Sequence, residues 1–271
     1  MSESLLVVDD LEVTYRTKGL GKKSFTALKG VSIDIRAGET MGLVGESGSG
    51  KTTLGRAVLG LAPVTAGSIR YRGQEISQLN PRERRALSSE IQVVFQDPFR
   101  SLNPRRTVGA SIVEGPMNFG LSGSDAMQRA RDLMALVGLQ PNALERYPHQ
   151  FSGGQRQRIA IARALAMEPE ILIADEAVSA LDVSVQKQVL ALLADVQERF
   201  NLAILFITHD LRVAAQICDR IVVMEKGVIV EQGATAQVFS APAHAYTHAL
   251  IEAAPGRDFA TGAVAVDAVQ A

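Results

Sequence analysis

The chain has 271 residues, 46% of them hydrophobic and 21% charged, with a formal net charge of −1 and one cysteine. Its length and apolar content allow one large α/β domain with an appendage, or two small domains. The near-neutral charge gives no reason to expect a nucleic-acid partner, one cysteine excludes an internal disulfide, and no apolar run is long enough to span a membrane.

Residues 5–15 and 31–35 have strand character, separated by a Lys/Gly-rich turn over 16–23. An apolar run at 41–44 then leads into Gly45-Glu46-Ser47-Gly48-Ser49-Gly50-Lys51-Thr52-Thr53, and a helix is expected over 54–61. A strand, a Gly-rich loop and a helix in that order are what a phosphate-binding loop requires. The glycines let the backbone curl with its N–H groups inward, and the helix N-terminus adds partial positive charge. Lys51 is expected to reach the β- and γ-phosphates and the Thr52 hydroxyl to ligate Mg²⁺. A Gly/Ser linker ending in Lys-Thr is the bland alternative, and the flanking strand and helix argue against it. Residues 67–74 add a strand pair, with Ile69 and Tyr71 alternating with Arg70 and Arg72. The opening third thus predicts a small antiparallel sheet around the loop.

Residues 91–95 form a short β-rich run ending at Gln96. From Pro98 to Ser152, Pro, Gly, Asn and Ser punctuate helical stretches such as 125–137, which reads as a helical insertion, about 98–158. A helix over 152–166 precedes an apolar strand, 171–174, that ends in Asp175-Glu176. A helix over 184–200 leads to a strand at 203–207 that ends in Thr208-His209. A helix at 211–217 and strands at 220–224 and 228–231 follow. Short apolar strands alternating with helices predict a parallel sheet covered on both faces. Ligands gather at the carboxyl ends of such strands, where Gly45, Gln96, Asp175 and His209 fall. Cys218, between Ile217 and Ile221, reads as a small core residue. Residues 256–271 read as a loose tail. The N-terminus has no signal-like character. A cytosolic chain is expected, its membrane association coming only through a partner.

Asp175 and Glu176 after a buried strand suit the second half of a nucleotide site. The first carboxylate can hold Mg²⁺ and the second can orient or deprotonate a water attacking the γ-phosphate, a base contribution of about 10²–10⁴-fold. Two acids capping the next helix are the alternative. Phe151-Ser152-Gly153-Gly154-Gln155 is a second Gly-rich helix start, with Ser152 as N-cap and open amides at Gly153 and Gly154. One phosphate loop and one acidic pair already account for one nucleotide. The second anion-binding helix start therefore points to the nucleotide of a partner subunit.

With these motifs the chain resembles the ATP-binding subunits of ABC transporters, over nearly its whole length. The resemblance implies a P-loop, RecA-like α/β core sheet with an N-terminal antiparallel β subdomain and an inserted helical subdomain. It makes residues 45–52 the Walker A loop, 171–175 the Walker B strand and Glu176 the catalytic glutamate. Gln96 becomes the Q-loop glutamine, contacting Mg²⁺ and the attacking water, and 151–155 the signature motif. Ser179-Ala180-Leu181-Asp182 becomes the D-loop and His209 the switch histidine. Standing alone, Gln96 and His209 would signify little, and Asp182 could equally be a simple N-cap. Tyr15 matches the aromatic that stacks on adenine, with Phe25 its competitor. ATP and Mg²⁺ are the implied cofactors.

A narrower resemblance, carried by residues 147–150, 178–186 and 245–250, is to oligopeptide/dipeptide importers, a group that also serves nickel, opines, glutathione and some oligosaccharides. It implies a domain at 1–240 and a C-terminal extension at 241–271. The implied partners are two membrane permease subunits, a second ATPase chain (related rather than identical) and a separate solute-binding protein. The place of action is the cytoplasmic face of the cell membrane, with coupling near residues 96–102. His244 and His248, four apart, read as surface or docking residues rather than metal ligands. Three departures stand out. Phe151 replaces the commoner Leu, Ala177 replaces the usual Pro after the glutamate, and the lone Cys218 rules out the iron–sulfur cluster of some relatives.

Overall fold

A computed structural model of the chain describes residues 4–16, 24–97 and 101–253. The expected loose tail from 256, most of the turn at 16–23, and residues 98–100 lie outside them. The described chain runs β1 (Ser4–Arg16), β2 (Ser24–Arg36), β3 (Thr40–Val44), α1 (Lys51–Val58), β4 (Ala66–Tyr71), β5 (Gln74–Glu75), α2 (Pro81–Leu87) and β6 (Ile91–Phe95). It continues through α3 (Val108–Asn118), α4 (Gly123–Leu136), two short 3₁₀ turns, α5 (Gly153–Leu165), β7 (Ile171–Asp175) and α6 (Val183–Phe200). It ends with β8 (Ala203–Thr208), α7 (Leu211–Ile217), β9 (Arg220–Glu225), β10 (Val228–Ala234), α8 (Thr235–Ser240) and α9 (Ala245–Ala253).

The strands form an antiparallel sheet in the order β2-β1-β4-β5 and a second sheet in the order β10-β9-β3-β8-β7-β6. Strands β9, β3, β8, β7 and β6 pair in parallel. Successive residues of a strand point to opposite faces, and here the two faces feed separate cores. Met41, Leu43, Ile171, Ile173, Leu205 and Ile207 pack toward the antiparallel sheet and α1. Val44, Leu172, Ala174, Ile204 and Phe206 pack toward the helices between β6 and β7 and toward α6. Cys218 is buried in the second core, and that burial pushes its thiol pKa far up.

Three local expectations change. The last strand is antiparallel to β9. Lys226 and Gly227 both have positive φ (47° and 88°), the two-residue turn that reverses a chain into a hairpin. The helix after the glycine loop begins at Lys51 and ends at Val58, three residues earlier at each end than expected, and Gly60 follows at φ 71°. Thr52 and Thr53 therefore lie in its first turn. Helix α2 was not expected, although its capping box is legible: Asn80 accepts from Arg82 N and Glu83 N, Pro81 stands at the first position, and Glu83 bonds back to Asn80 N.

A charged cluster ties the two sheets together. From β9, Arg220 donates to Asp34 Oδ1 on β2 at 3.1 Å and to Glu39 Oε1 at 3.2 Å. The Arg220 hydrogen bond is the main cause holding the Asp34 carboxyl below its ordinary range, against a smaller opposing effect of burial. Glu39 is only 9% exposed and would lose its ion-pair partner in Arg220→Ala, keeping only the Arg36 N–H, so that variant should unfold with about 2–3 kcal/mol less stability at pH 7. A carboxyl with a depressed folded pKa stabilises above its unfolded value, and that share is lost as pH falls through the folded one. Urea unfolding should show the gap between wild type and variant narrowing below about pH 4. A gap independent of pH would remove Asp34 from the interaction.

Candidate nucleotide site

The pairing register sets the carboxyl ends of four strands level. Val44 stands opposite Thr208, Asp175 opposite Ile207, and Phe95 opposite Asp175. The residues just beyond those ends, Gly45, Gln96, Glu176 and His209, therefore emerge along one edge. A groove of about 930 Å³ opens there, lined in part by Ser47, Thr52, Gln96, Asp175 and Glu176.

The loop curls over its own lysine. Lys51 Nζ donates to Gly45 O at 2.8 Å and Glu46 O at 2.7 Å, and lies 3.4 Å from Ser49 Oγ. Gly50, at φ 109°, precedes the helix in a conformation that L side chains rarely adopt. A Cβ there would stand 2.9 Å from Ala27 O, so β2 passes directly behind the loop. Glycine 227, in the β9–β10 turn, supports the loop from another side, with its N–H on Ser49 O at 2.9 Å. Burial holds the Lys51 ammonium below its ordinary pKa range, opposed by the nearby carboxylates of Glu176, Asp175 and Glu46. A buried cation inside a curl of backbone amides is suited to a polyanion.

Thr52 Oγ1 donates to Asp175 Oδ1 at 3.0 Å. Burial raises the Asp175 pKa in spite of this bond. A hydroxyl and a carboxylate this close form a hard-oxygen pair that fits Mg²⁺, an ion that keeps several waters and takes few protein ligands. Among the described residues no cluster of three or more His, Cys, Asp or Glu could make an all-protein cage. Gln96 Nε2 donates to Ser179 Oγ at 3.2 Å, and Ser179 Oγ donates in turn to the Glu176 carbonyl at 3.0 Å. Glu176 has φ 51°, and its N–H is held by Ile207 O at 2.9 Å. Its Oε1 lies 3.3 Å from His209 Nδ1.

The second Gly-rich helix start stands outside that groove. Ser152 caps α5 through Gln155 N at 3.3 Å, and Gln155 Oε1 accepts from Ser152 N at 3.0 Å. Its two glycines differ in what a side chain would meet. At Gly153 an added Cβ would meet nothing, whereas at Gly154 it would overlap Val185 Cγ1 on α6. Gly154 is thus needed for close helix packing. Asp182 caps α6 through Val185 N at 3.0 Å, so the simple capping role is present. Tyr15 and Phe25 are cross-strand neighbours, 37% and 65% exposed, and Phe25 lies two residues from the point where β2 passes the loop. Both adenine candidates therefore share one patch.

His244 and His248 do not act together. His244 Nδ1 accepts from Tyr246 N at 3.2 Å, and His248 Nδ1 lies 3.5 Å from Glu252 Oε2. The Ser179 relay, the Gly227 support and a bond from Glu46 N to Tyr246 Oη at 3.2 Å were not assigned from sequence. They join residues far apart in the chain and carry no motif. A second groove, of about 960 Å³, holds none of the expected site residues. Its Arg72 pairs with Glu170 and its Arg129 with Glu168, so it offers an anion no free cation from these pairs.

A protein-family model described as ABC transporter matches residues 28–179, and the chain belongs to that family. Among curated relatives, an oligopeptide transport ATP-binding protein, OppF, of Streptococcus pyogenes is 51% identical over 258 residues, covering 94% of this chain and 83% of its own. A putative peptide import ATP-binding protein of Brucella ovis is 48% identical over 255 residues, at 94% and 80% coverage. Among solved structures, cbiO1 of Clostridium perfringens, part of a cbiONQ transporter complex, superposes with TM-score 0.78 at 28% identity, covering 89% of this chain and 92% of its own. The cassette MJ0796, a dimer bound to ADP and phosphate, superposes with TM-score 0.76 at 29% identity, covering 85% and 98%.

The two glycines of α5 separate by experiment. Gly154→Ala should lower stability by about 1–3 kcal/mol through the clash with Val185. Gly153→Ala should leave it nearly unchanged, since an added methyl meets open space at the first position of the helix. Thermal unfolding checks both, and equal effects would refute the packing role of Gly154.

Proposed function

We infer that this chain is the ATP-hydrolysing subunit of an ABC importer for peptides. The observation that carries the chemistry is the set of Lys51, Thr52, Asp175, Glu176 and His209 along one strand-end edge. The peptide cargo rests on relatives that are about half identical over nearly the whole chain. Opine, nickel, glutathione and oligosaccharide systems are the alternative cargoes of the importer group it resembles.

In the proposed reaction the loop amides and Lys51 hold the triphosphate of ATP. Mg²⁺, held by Thr52 and Asp175 with Gln96 alongside, would neutralise charge on the phosphate oxygens. Glu176 takes a proton from the water whose oxygen bonds to the γ-phosphorus, the bond from that phosphorus to the bridging oxygen breaks, and ADP and phosphate leave. His209 orients Glu176 and donates to the γ-phosphate. Tyr15 or Phe25 stacks on the adenine.

The proposed active unit is a pair of ATPase chains on two permease subunits, supplied by a separate solute-binding protein. We place it at the cytoplasmic face of the cell membrane, and among the described residues no helix is long and apolar enough to cross one. Residues 1–240 would form the ATPase domain, with a helical insertion at 98–158, and 241–271 an extension. In each site, Ser152–Gln155 of one chain, with Asp182 nearby, closes over the nucleotide of the other. Support for this comes from Gly153 and Gly154, whose N–H groups have no acceptor among the described residues, as the orphan donors of a helix start.

Glu176→Gln should keep MgATP binding, reduce phosphate release by at least about 10²-fold and accumulate an ATP-bound pair of chains. Unchanged hydrolysis in that variant would remove Glu176 from its role. Ser152→Arg should abolish turnover while a single chain still binds MgATP with near wild-type affinity. Lost binding by the single chain would instead mean that Ser152 serves its own site.

A further inference from the structure

The Gly45–Glu46 peptide group is held at both ends. Its carbonyl, Gly45 O, accepts from Lys51 Nζ at 2.8 Å, and its N–H, on Glu46, donates to Tyr246 Oη at 3.2 Å. Tyr246 is 200 residues away in sequence, on α9. Gly45 has φ 147° and no Cβ, so little in its own backbone resists rotation of this peptide plane. A rotation would take the Gly45 carbonyl off Lys51 and loosen the curl that surrounds the ammonium.

The helix that brings Tyr246 here is itself anchored. Glu231, on β10, accepts from Ala243 N at 2.8 Å and His244 N at 3.0 Å. His244 Nδ1 then accepts from Tyr246 N at 3.2 Å. The tyrosine ring packs at the border of the helical core, so its hydroxyl is presented by a fixed element.

We propose that Tyr246 is a positioning residue of the nucleotide site: its hydroxyl locks the Gly45–Glu46 peptide and keeps the loop in its phosphate-binding shape before nucleotide arrives. The proposal rests on reading residues 45–52 as the nucleotide loop. The mechanism is a population effect. When only a fraction of loops is competent, the apparent affinity falls by that fraction. Tyr246 touches no reacting atom, so its loss should raise KM for ATP and leave kcat nearly unchanged.

The test uses the full chain, MgADP titration by calorimetry, steady-state ATP hydrolysis, and amide exchange at Glu46 by NMR. Tyr246→Phe keeps the ring and removes the oxygen. It should weaken MgADP binding about 3- to 10-fold, as expected for one hydrogen bond, and raise KM for ATP alike, with kcat within about twofold. In the nucleotide-free protein the Glu46 amide should exchange at least about tenfold faster, with protection returning when MgADP binds. Glu231→Ala, which frees α9, should weaken binding in the same direction, and the double variant should be no worse than the more affected single one. MgADP affinity within about twofold of wild type in Tyr246→Phe overturns the proposal, as does weaker binding with unchanged Glu46 exchange. Lys51→Ala separates the underlying reading: wild-type MgADP binding in that variant would overturn the loop assignment, and the role of Tyr246 with it.

Discussion

The parallel register of β3, β8, β7 and β6 is the constraint on which the site depends. A slip by one residue would exchange the two faces of a strand. Ile171 and Ile173 would then leave the core beneath the antiparallel sheet, and Leu172 and Ala174 would leave the helical side. Because both faces are buried and packed differently, the packing fixes the register that holds Asp175 level with Ile207 and Phe95. The polar side chains beyond the strand ends inherit that placement. None of them has to secure the register, and they bond to one another instead, Thr52 to Asp175 and Glu176 to His209.

The loop faces a different problem, since a curled Gly-rich backbone has little intrinsic preference for one shape. It is held from outside: by β2 behind Gly50, by the β9–β10 turn at Ser49, and from within by Lys51. The same packing that immobilises the loop removes solvent from it. Burial lowers the Lys51 pKa and raises that of Asp175, so both charges sit in a cleft that solvates them poorly. Charge interactions are stronger in such a place than in water. On the proposed reading, an incoming phosphate group would restore what burial takes from the lysine, and a cation would do so for the aspartate.

What was legible in the sequence was what short stretches of chain decide. The glycine loop, the apolar strands ending in Gln96, Asp175-Glu176 and Thr208-His209, and the caps at Ser152 and Asp182 each depend on a few neighbouring residues. The capping box at Asn80–Glu83 was equally readable, and the Lys226-Gly227 turn carried the glycine that a hairpin needs. Strand order, the Arg220 cluster between sheets and the Gln96–Ser179 bond were not readable, because each joins residues brought together only by the fold. Gly154 shows the boundary between the two kinds. Its residue type was read only as an open amide, and the close approach of Val185 became visible only once α5 and α6 were packed.

That pairing of α5 with α6 bears on the two-chain site proposed above. Val185 against Gly154 packs the start of α5 on the start of α6, so the caps Ser152 and Asp182 belong to one packed unit. Gln96 joins the other end of this unit to the strand edge through Ser179. A displacement of the helices between β6 and β7 would therefore reach Glu176 through the Ser179 hydroxyl on its carbonyl. The glutamate sits at positive φ, with its N–H on Ile207 O and its carbonyl accepting from both the N–H and the hydroxyl of Ser179. A non-glycine residue keeps positive φ only where its surroundings over-determine it, and the bonds to Ile207 and Ser179 do so here, which ties the placement of the Glu176 side chain to the 176–179 turn.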